Sequence, residues 1–237
     1  MSRAVFAVAL ALLTSAAPAM AQVRPSLDRL VGLGSFEFQA GLYRPSIDSE
    51  FASGTIGPWE ETFGTSSRWM FKLHGGKALF SGFGTLELGA GAGYTSFTTH
   101  GHFADGTGSQ EKIGFRLLPL SVDLTYRLDL VWERLGVPLV PYGRVALIRD
   151  QWWVMGAGGK TARSGVTNGW GWGGGLALVL DFIDPVLTRE LDRDSGIKHS
   201  MLTFEVQKDK VDDFGSTTSW DLSNDHLTMT FGLLFAF

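Results

Sequence analysis

The chain has 237 residues, enough for one domain, and a formal net charge of −4, which argues against a nucleic-acid partner. It has no cysteine, which excludes disulfides, thiolate metal sites and a lipoprotein anchor. Thirty-one glycines and eight tryptophans, beside only 20 Lys and Arg, suit a twisted membrane barrel better than a soluble helical enzyme.

Residues 1–21 read as a secretory signal peptide. Arg3 gives the positive start, residues 4–13 the apolar stretch, and Ala19-Met20-Ala21 the small-residue cleavage site. The apolar stretch is too short for an anchoring helix, and no later stretch reaches 18 unbroken apolar residues. A membrane protein with this sequence must therefore be a closed barrel. Residues 22–34 carry Pro25 and no strand pattern, and are expected in the periplasm ahead of a barrel over 35–237.

Period-two alternation marks eight strands. The first, 35–44, sets Phe36, Phe38 and Leu42 against Glu37 and Gln39, and Pro45 ends it. The second, 67–74, sets Trp69, Phe71 and Leu73 against Lys72 and His74, and Gly75-Gly76 reads as a turn. The third, 84–97, sets Leu86, Leu88 and Tyr94 against Glu87, Gly89, Gly91 and Gly93. The fourth, 111–130, changes parity: Ile113, Phe115 and Leu117 are odd, whereas Leu120, Val122, Leu124 and Tyr126 are even. A bulge at Leu118-Pro119 would account for the change and leave Asp123, Thr125, Arg127 and Asp129 inward.

The turn 136–138 leads to the fifth strand, 139–154, with Val145 and Leu147 against Arg144, and Trp152-Trp153 at its far end. The sixth, 169–182, opposes Trp170, Trp172 and Leu176 to Gly171, Gly173, Gly175 and Asp181. Asp184-Pro185 then signals a helix start, and Gly196 its end. The seventh strand, 198–208, sets Leu202, Phe204 and Val206 against Glu205. The eighth, 227–237, carries large apolar residues at every odd position, and its Thr230, Gly232, Phe235 and Phe237 fit the ending that resembles the insertion signal of bacterial outer-membrane barrels.

The expected fold is all-β: an eight-stranded antiparallel, up-and-down transmembrane barrel with a short periplasmic helix between strands six and seven. The polar connections 46–66, 98–110, 156–168 and 209–224 follow the odd strands and are expected outside the cell, where they could meet a partner; the turns after even strands are expected in the periplasm. Outer-membrane lipid, lipopolysaccharide and the barrel-assembly machinery are the partners expected of such a chain.

The inward face carries Glu37, Lys72, Glu87, Asp123, Arg127, Asp129, Arg144, Asp181 and Glu205. Eight strands enclose a lumen that side chains can fill, so these charges are expected to pair and plug it, with a proton or ion path as the alternative. The inward glycines admit two readings, relief of crowding or a pocket for a small apolar molecule. Trp69, Tyr94, Tyr142, Trp152, Trp153 and Trp170 lie near strand ends and are expected as an aromatic girdle. His100 and His102 with Asp105 could ligate a metal, but two loop histidines without a third fixed ligand are a weak signal. His226, Thr228 and Glu205 could serve a lipid A-modifying hydrolase if brought together. No Gly-x-Ser-x-Gly, Walker, Rossmann or zincin motif is present, so no catalytic residue and no cofactor is assigned. A soluble barrel holding a ligand inside would require the opposite facing, with charge outward.

Leu42-Tyr43-Arg44-Pro45, Ile47-Asp48-Ser49-Glu50-Phe51 and Leu139-Val140-Pro141-Tyr142 form a further set of signatures. Trp152-Trp153, Leu180-Asp181-Phe182-Ile183-Asp184-Pro185, Glu190-Leu191-Asp192, Ser195-Gly196-Ile197 and His199-Ser200 complete it. Together they resemble a family of outer-membrane β-barrel proteins of myxobacteria and related delta-proteobacteria. The resemblance implies the barrel and the outer membrane, and no activity or functional residue.

Overall fold

The computed structural model describes residues 34–51, 54–102, 108–224 and 226–237. The expected signal peptide and residues 22–33 lie outside that set. Eight antiparallel strands form: β1 (Gly34–Tyr43), β2 (Arg68–Ser81), β3 (Thr85–His102), β4 (Gly108–Arg127), β5 (Leu139–Met155), β6 (Thr161–Val179), β7 (His199–Lys210) and β8 (Thr228–Ala236). Each pairs with its sequence neighbour, and β8 pairs back on β1, so the sheet closes without a free edge.

The facing is inverted relative to a soluble protein. Phe38, Leu88, Leu124, Leu147, Trp172 and Phe231 point outward and are exposed, while Glu37, Glu87, Asp123, Arg127, Glu205 and Thr230 point inward and are buried. On β4 the outward apolar residues run from Leu118 to Leu128. At about 3.4 Å per residue and a tilt of about 40°, that run rises roughly 25 Å, the height of a bilayer's hydrocarbon layer. An apolar belt of this height around a polar interior is the architecture of a membrane-spanning barrel.

Three short helices sit at the ends: α1 (Pro58–Phe63), α2 (Leu130–Leu135) and α3 (Pro185–Ser195). α3 starts where sequence predicts. The Asp184 carboxylate accepts from the amides of Val186 at 3.1 Å and Leu187 at 3.0 Å, Pro185 fills the first turn, and Gly196 closes it at φ 74°. α1 and α3 lie at opposite ends of the barrel, called here the cap end and the base end.

Several expected boundaries move. β2 runs through Gly75-Gly76, which pair with Phe36 and Ser35, and the chain reverses at 82–84 instead. The expected loops 98–110 and 156–168 are mostly strand; the latter shrinks to a turn over 156–160. β6 stops at Val179, so Asp181 lies just beyond it, and Asp129 precedes α2 as its N-cap instead of ending a strand. The loop 46–66 holds a 3-10 turn, Ile47–Glu50, and α1.

No bulge interrupts β4 at Leu118-Pro119. Its register against β5 is unbroken from Gly114 to Arg127, and Phe115, Leu117, Asp123, Thr125 and Arg127 all face inward. What changes along β4 is the chemistry on each side. Within the belt, charge is inside and grease outside; above it, Phe115 and Leu117 are buried inside while Lys112 and Arg116 are exposed outside. The cap end of the barrel is thus packed like a soluble protein.

Candidate functional site

The lumen is filled in layers. At its middle, Arg144 of β5 reaches Glu37 of β1 at 2.7 Å, Glu205 of β7 at 3.3 Å and Asp123 of β4 at 3.7 Å. Its Nε also donates to Thr125 at 3.0 Å. The carboxylates are held by neutral donors as well. Thr203 (2.7 Å) and Gln39 (3.1 Å) donate to Glu37, and Tyr142 donates to Glu205 at 3.0 Å. His74 sits 2.7 Å from Asp123, and Thr125 donates to the same carboxylate at 2.9 Å. Nearer the base, Arg127 pairs with Glu87, which also accepts from Ser35 at 2.5 Å. Charges removed from water to this degree are tolerated because each faces an opposite charge, although Nε and Nη2 of Arg127 find no hydrogen-bond partner among the described residues.

Inward glycines make room for these groups. A Cβ on Gly91 would come within 2.9 Å of the Ser121 hydroxyl, one on Gly173 within 2.8 Å of Glu205, and one on Gly175 within 2.7 Å of the Tyr142 ring. Lumen side chains therefore lie directly over bare glycine backbone. That arrangement fits relief of crowding, and Gly91 and Gly173 also line a small lumen cavity.

Both ends are stoppered. At the base, Trp132 of α2 packs with Val140, Val179, Met201 and Leu234. There His199 lies 2.5 Å from Asp181, and Asp129 is buried beside Arg127 and Glu87. At the cap, Trp59 of α1 enters the mouth and meets Phe97 and Phe115 edge-on at ring separations of 4.8 and 5.1 Å. Trp152 stacks on Trp220 at 4.4 Å in the same cluster. α1 is held there by Asp48, whose carboxylate accepts from the amides of Trp59 and Glu60, both at 2.8 Å. Tyr43 ties the far side by donating to the Leu222 carbonyl at 2.6 Å.

Between the charge cluster and the cap lies a cavity of about 70 Å³, lined by Lys72, His74, Asp150 and Asp209 among others. It has room for a few waters. Lys72 stands 4.0 Å from Asp209, a loose pair above the tight cluster.

Two of the six aromatics expected in the girdle face inward. Tyr142 is a lumen hydrogen-bond donor and Trp152 a member of the cap, because even positions of β5 point into the barrel. Trp69, Tyr94 and Trp170 are exposed on the outer face, and Trp153 shares Arg116's outward register. Thr230 and Gly232 face inward, Phe235 and Phe237 outward. The trio considered for hydrolysis is not assembled. His226 is exposed at the rim, Thr228 is buried and bonded to Asn224, and Glu205 belongs to the Arg144 cluster. Asp105 lies outside the described residues, and no His, Asp or Glu group able to hold a metal occurs among the described ones.

Sequence reasoning missed Trp59, Trp132 and Trp220 as stoppers. Gly57-Pro58 and Gly136 were available as helix boundary signals for α1 and α2, with Pro58 in the first turn and Gly136 at φ 65°.

No protein-family model matches the chain, and no curated protein does. Among solved structures the chain is similar to Neisserial surface protein A (TM-score 0.49, 11% identity), over 86% of this chain and 96% of that one. It is also similar to Ail, the attachment invasion locus protein of Yersinia pestis, in complex with the heparin analogue sucrose octasulfate (TM-score 0.40, 9% identity, 86% and 99% coverage). Ail in a phospholipid bilayer nanodisc gives a TM-score of 0.35 at 12% identity over 86% and 99% of the two chains. No residue's role transfers at these identities.

Proposed function

We propose that this chain is a non-conducting surface barrel of a Gram-negative outer membrane, with its base toward the periplasm and its cap end outside, where the connections meet partners. The observation that carries this reading is the double closure of the lumen by Trp132 and Trp59 around a paired-charge middle. A lumen filled in this way supports a structural or interaction role. The cavity that Gly91, Gly93, Gly171 and Gly173 line holds only about 70 Å³, which weakens the alternative of an apolar-molecule conduit, and the separation of His226 from Thr228 and Glu205 weakens lipid A hydrolysis. In this reading residues 1–21 direct export and are removed. Thr230, Gly232, Phe235 and Phe237 are read by the barrel-assembly machinery, and Trp69, Tyr94, Trp153 and Trp170 anchor the wall at the headgroups. The sequence signatures make a myxobacterium the proposed source.

The absence of native cysteine makes the test clean. In intact cells, Thr218→Cys in the cap-end connection should react with a membrane-impermeant maleimide. Arg189→Cys in α3 should react only after permeabilisation. The reverse pattern, or steady conductance of the purified barrel in planar bilayers, overturns the reading.

A further inference from the structure

The outer face changes chemistry abruptly where the belt ends toward the cap. On β1 the first polar outward residue after Leu42 is Arg44; on β4, past Leu118, it is Arg116; on β5, past Leu147, it is Arg149; on β7, past Val206, it is Lys208. On β2, β3 and β6 the same step is taken by Ser67, Ser96 and Asn168. None of these seven positions is acidic. The strand carboxylates Glu37, Glu87, Asp123, Asp150, Glu205 and Asp209 occupy inward positions, and Glu111 is exposed on β4 beyond the collar. A chain of net charge −4 thus presents a cationic collar at one edge of its apolar belt.

Two members of the collar are open to solvent, and Arg44 donates to the Thr65 carbonyl at 3.4 Å. Arg116 and Arg149 are exposed, and among the described residues neither pairs with a carboxylate. Lys208 donates to the Asn224 carbonyl at 2.8 Å, which leaves further ammonium protons to donate outward. Trp153 is the cross-strand partner of Arg116 and shares its outward face.

Below the collar is a place for a chain. β1 pairs with β2 up to Tyr43–Arg68, but with β8 only up to Gly41–Thr230. Above those pairs the ladder is interrupted: Asn224 bridges Pro45, its side chain bonds the Leu42 carbonyl and the Arg44 amide, both at 3.4 Å, and an outer-face groove of about 410 Å³ lies beside this irregular stretch. Leu42, Trp69, Met229 and Phe231 form its apolar floor, with Arg44 and His226 at its rim. Apolar below and cationic above, at the border of the hydrocarbon layer, is complementary to an amphiphile with an acyl chain and an anionic head.

We propose that the collar, with the seam groove under Arg44, binds a phosphorylated glycolipid of the outer leaflet, its phosphates on the Arg and Lys side chains and one acyl chain in the groove. The proposal rests on the outer-membrane reading above. Arginine's planar fork suits phosphate oxygens. Arg116 and Arg149 are set apart along the wall by about four residues, on the order of 13 Å, so they address separate phosphates. A sugar ring bridging them would meet the face of Trp153.

The test is native mass spectrometry of the purified mature barrel in mild detergent. It is titrated with bis-phosphorylated lipid A, with the same lipid A after phosphatase treatment, and with phosphatidylglycerol. The expected order is strong, weak and weak adduct formation. Arg116→Ser/Arg149→Ser should weaken the first by about 25-fold, at about fivefold per cation, and Arg116→Lys/Arg149→Lys should stay within a few-fold of wild type. Heat-modifiable gel migration confirms that each variant is folded. Equal binding of the dephosphorylated lipid, equal binding of phosphatidylglycerol, or indifference to the serine pair overturns the inference. Fractionation separates the two claims: a protein outside the outer membrane defeats the functional reading, whereas one in the outer membrane with no phosphate preference defeats only the collar.

Discussion

Arg144 stands within ion-pair reach of three buried carboxylates on three different strands. Removing it leaves Glu37, Asp123 and Glu205 facing one another in a space nearly free of water. Arg144→Met should therefore destabilise the barrel by about 3–5 kcal/mol in urea unfolding from lipid vesicles, whereas Glu37→Gln, which keeps the shape and leaves two acids for one guanidinium, should lose less. Equal losses would show that the cluster is packing and not charge balance. Asp129 offers a second test, outside the belt. Burial pushes its carboxyl up to about 6, against the opposing pull of a Thr85 hydrogen bond and the Arg127 charge. A folded-state value above the unfolded one means that the group favours folding fully below about pH 4. That contribution fades as pH rises through 6. Asp129→Asn should thus leave stability at pH 4 unchanged and raise it at pH 8 by roughly 3 kcal/mol. A gain of the same size at both pH values contradicts the assignment. Residues such as Glu37, Glu87, Asp123 and Glu205 were legible in the sequence because period two put them opposite large apolar neighbours. Which of them would share Arg144 was not legible, since that depends on cross-strand register around the closed sheet.

At the scale of elements, α1 is the part most dependent on tertiary contacts. It has six residues, too few to hold alone, and its N-terminal amides are satisfied by Asp48 from a preceding turn. Asp48→Ala should release it at a cost of about 1 kcal/mol, and Trp59→Ala should cost about 3–5 kcal/mol through the emptied aromatic cage. Both should raise protease cleavage within 54–66 on the folded barrel without opening a conducting path, because the Arg144 cluster stays in place below. Conductance in Trp59→Ala would mean that the cap alone closes the lumen. The strands themselves were readable in number and order, and in facing within the belt. β4 shows where the reading failed. Phe115 and Leu117 share the parity of Asp123 and Arg127, and the change from apolar to charged suggested a bulge. Alternation tells which residues share a face, but not which face is inside at a given height. The solvent outside changes from lipid to water along one strand, and the interior changes with it. The same blindness placed Tyr142 and Trp152 on the outer wall. Their closeness to strand ends was visible, whereas their inward register followed only from the pairing of β5 with β4 and β6.

For the whole molecule, the apolar belt and the polar interior are a single fact seen from two sides. A closed eight-stranded wall leaves room inside for side chains and little else. Charge inside must therefore pair, and grease outside must find lipid. The belt predicts that single-cysteine nitroxides at Leu124, Leu147 and Phe231 sit in hydrocarbon, while those at Arg116 and Lys112 sit in water. Accessibility of these five sites to dissolved oxygen and to a water-soluble nickel chelate, measured by electron paramagnetic resonance on the barrel in lipid vesicles, tests the inverted architecture most directly. High oxygen and low nickel accessibility at the first three sites, reversed at the last two, is the predicted result; nickel accessibility at Leu124, Leu147 and Phe231 would contradict it.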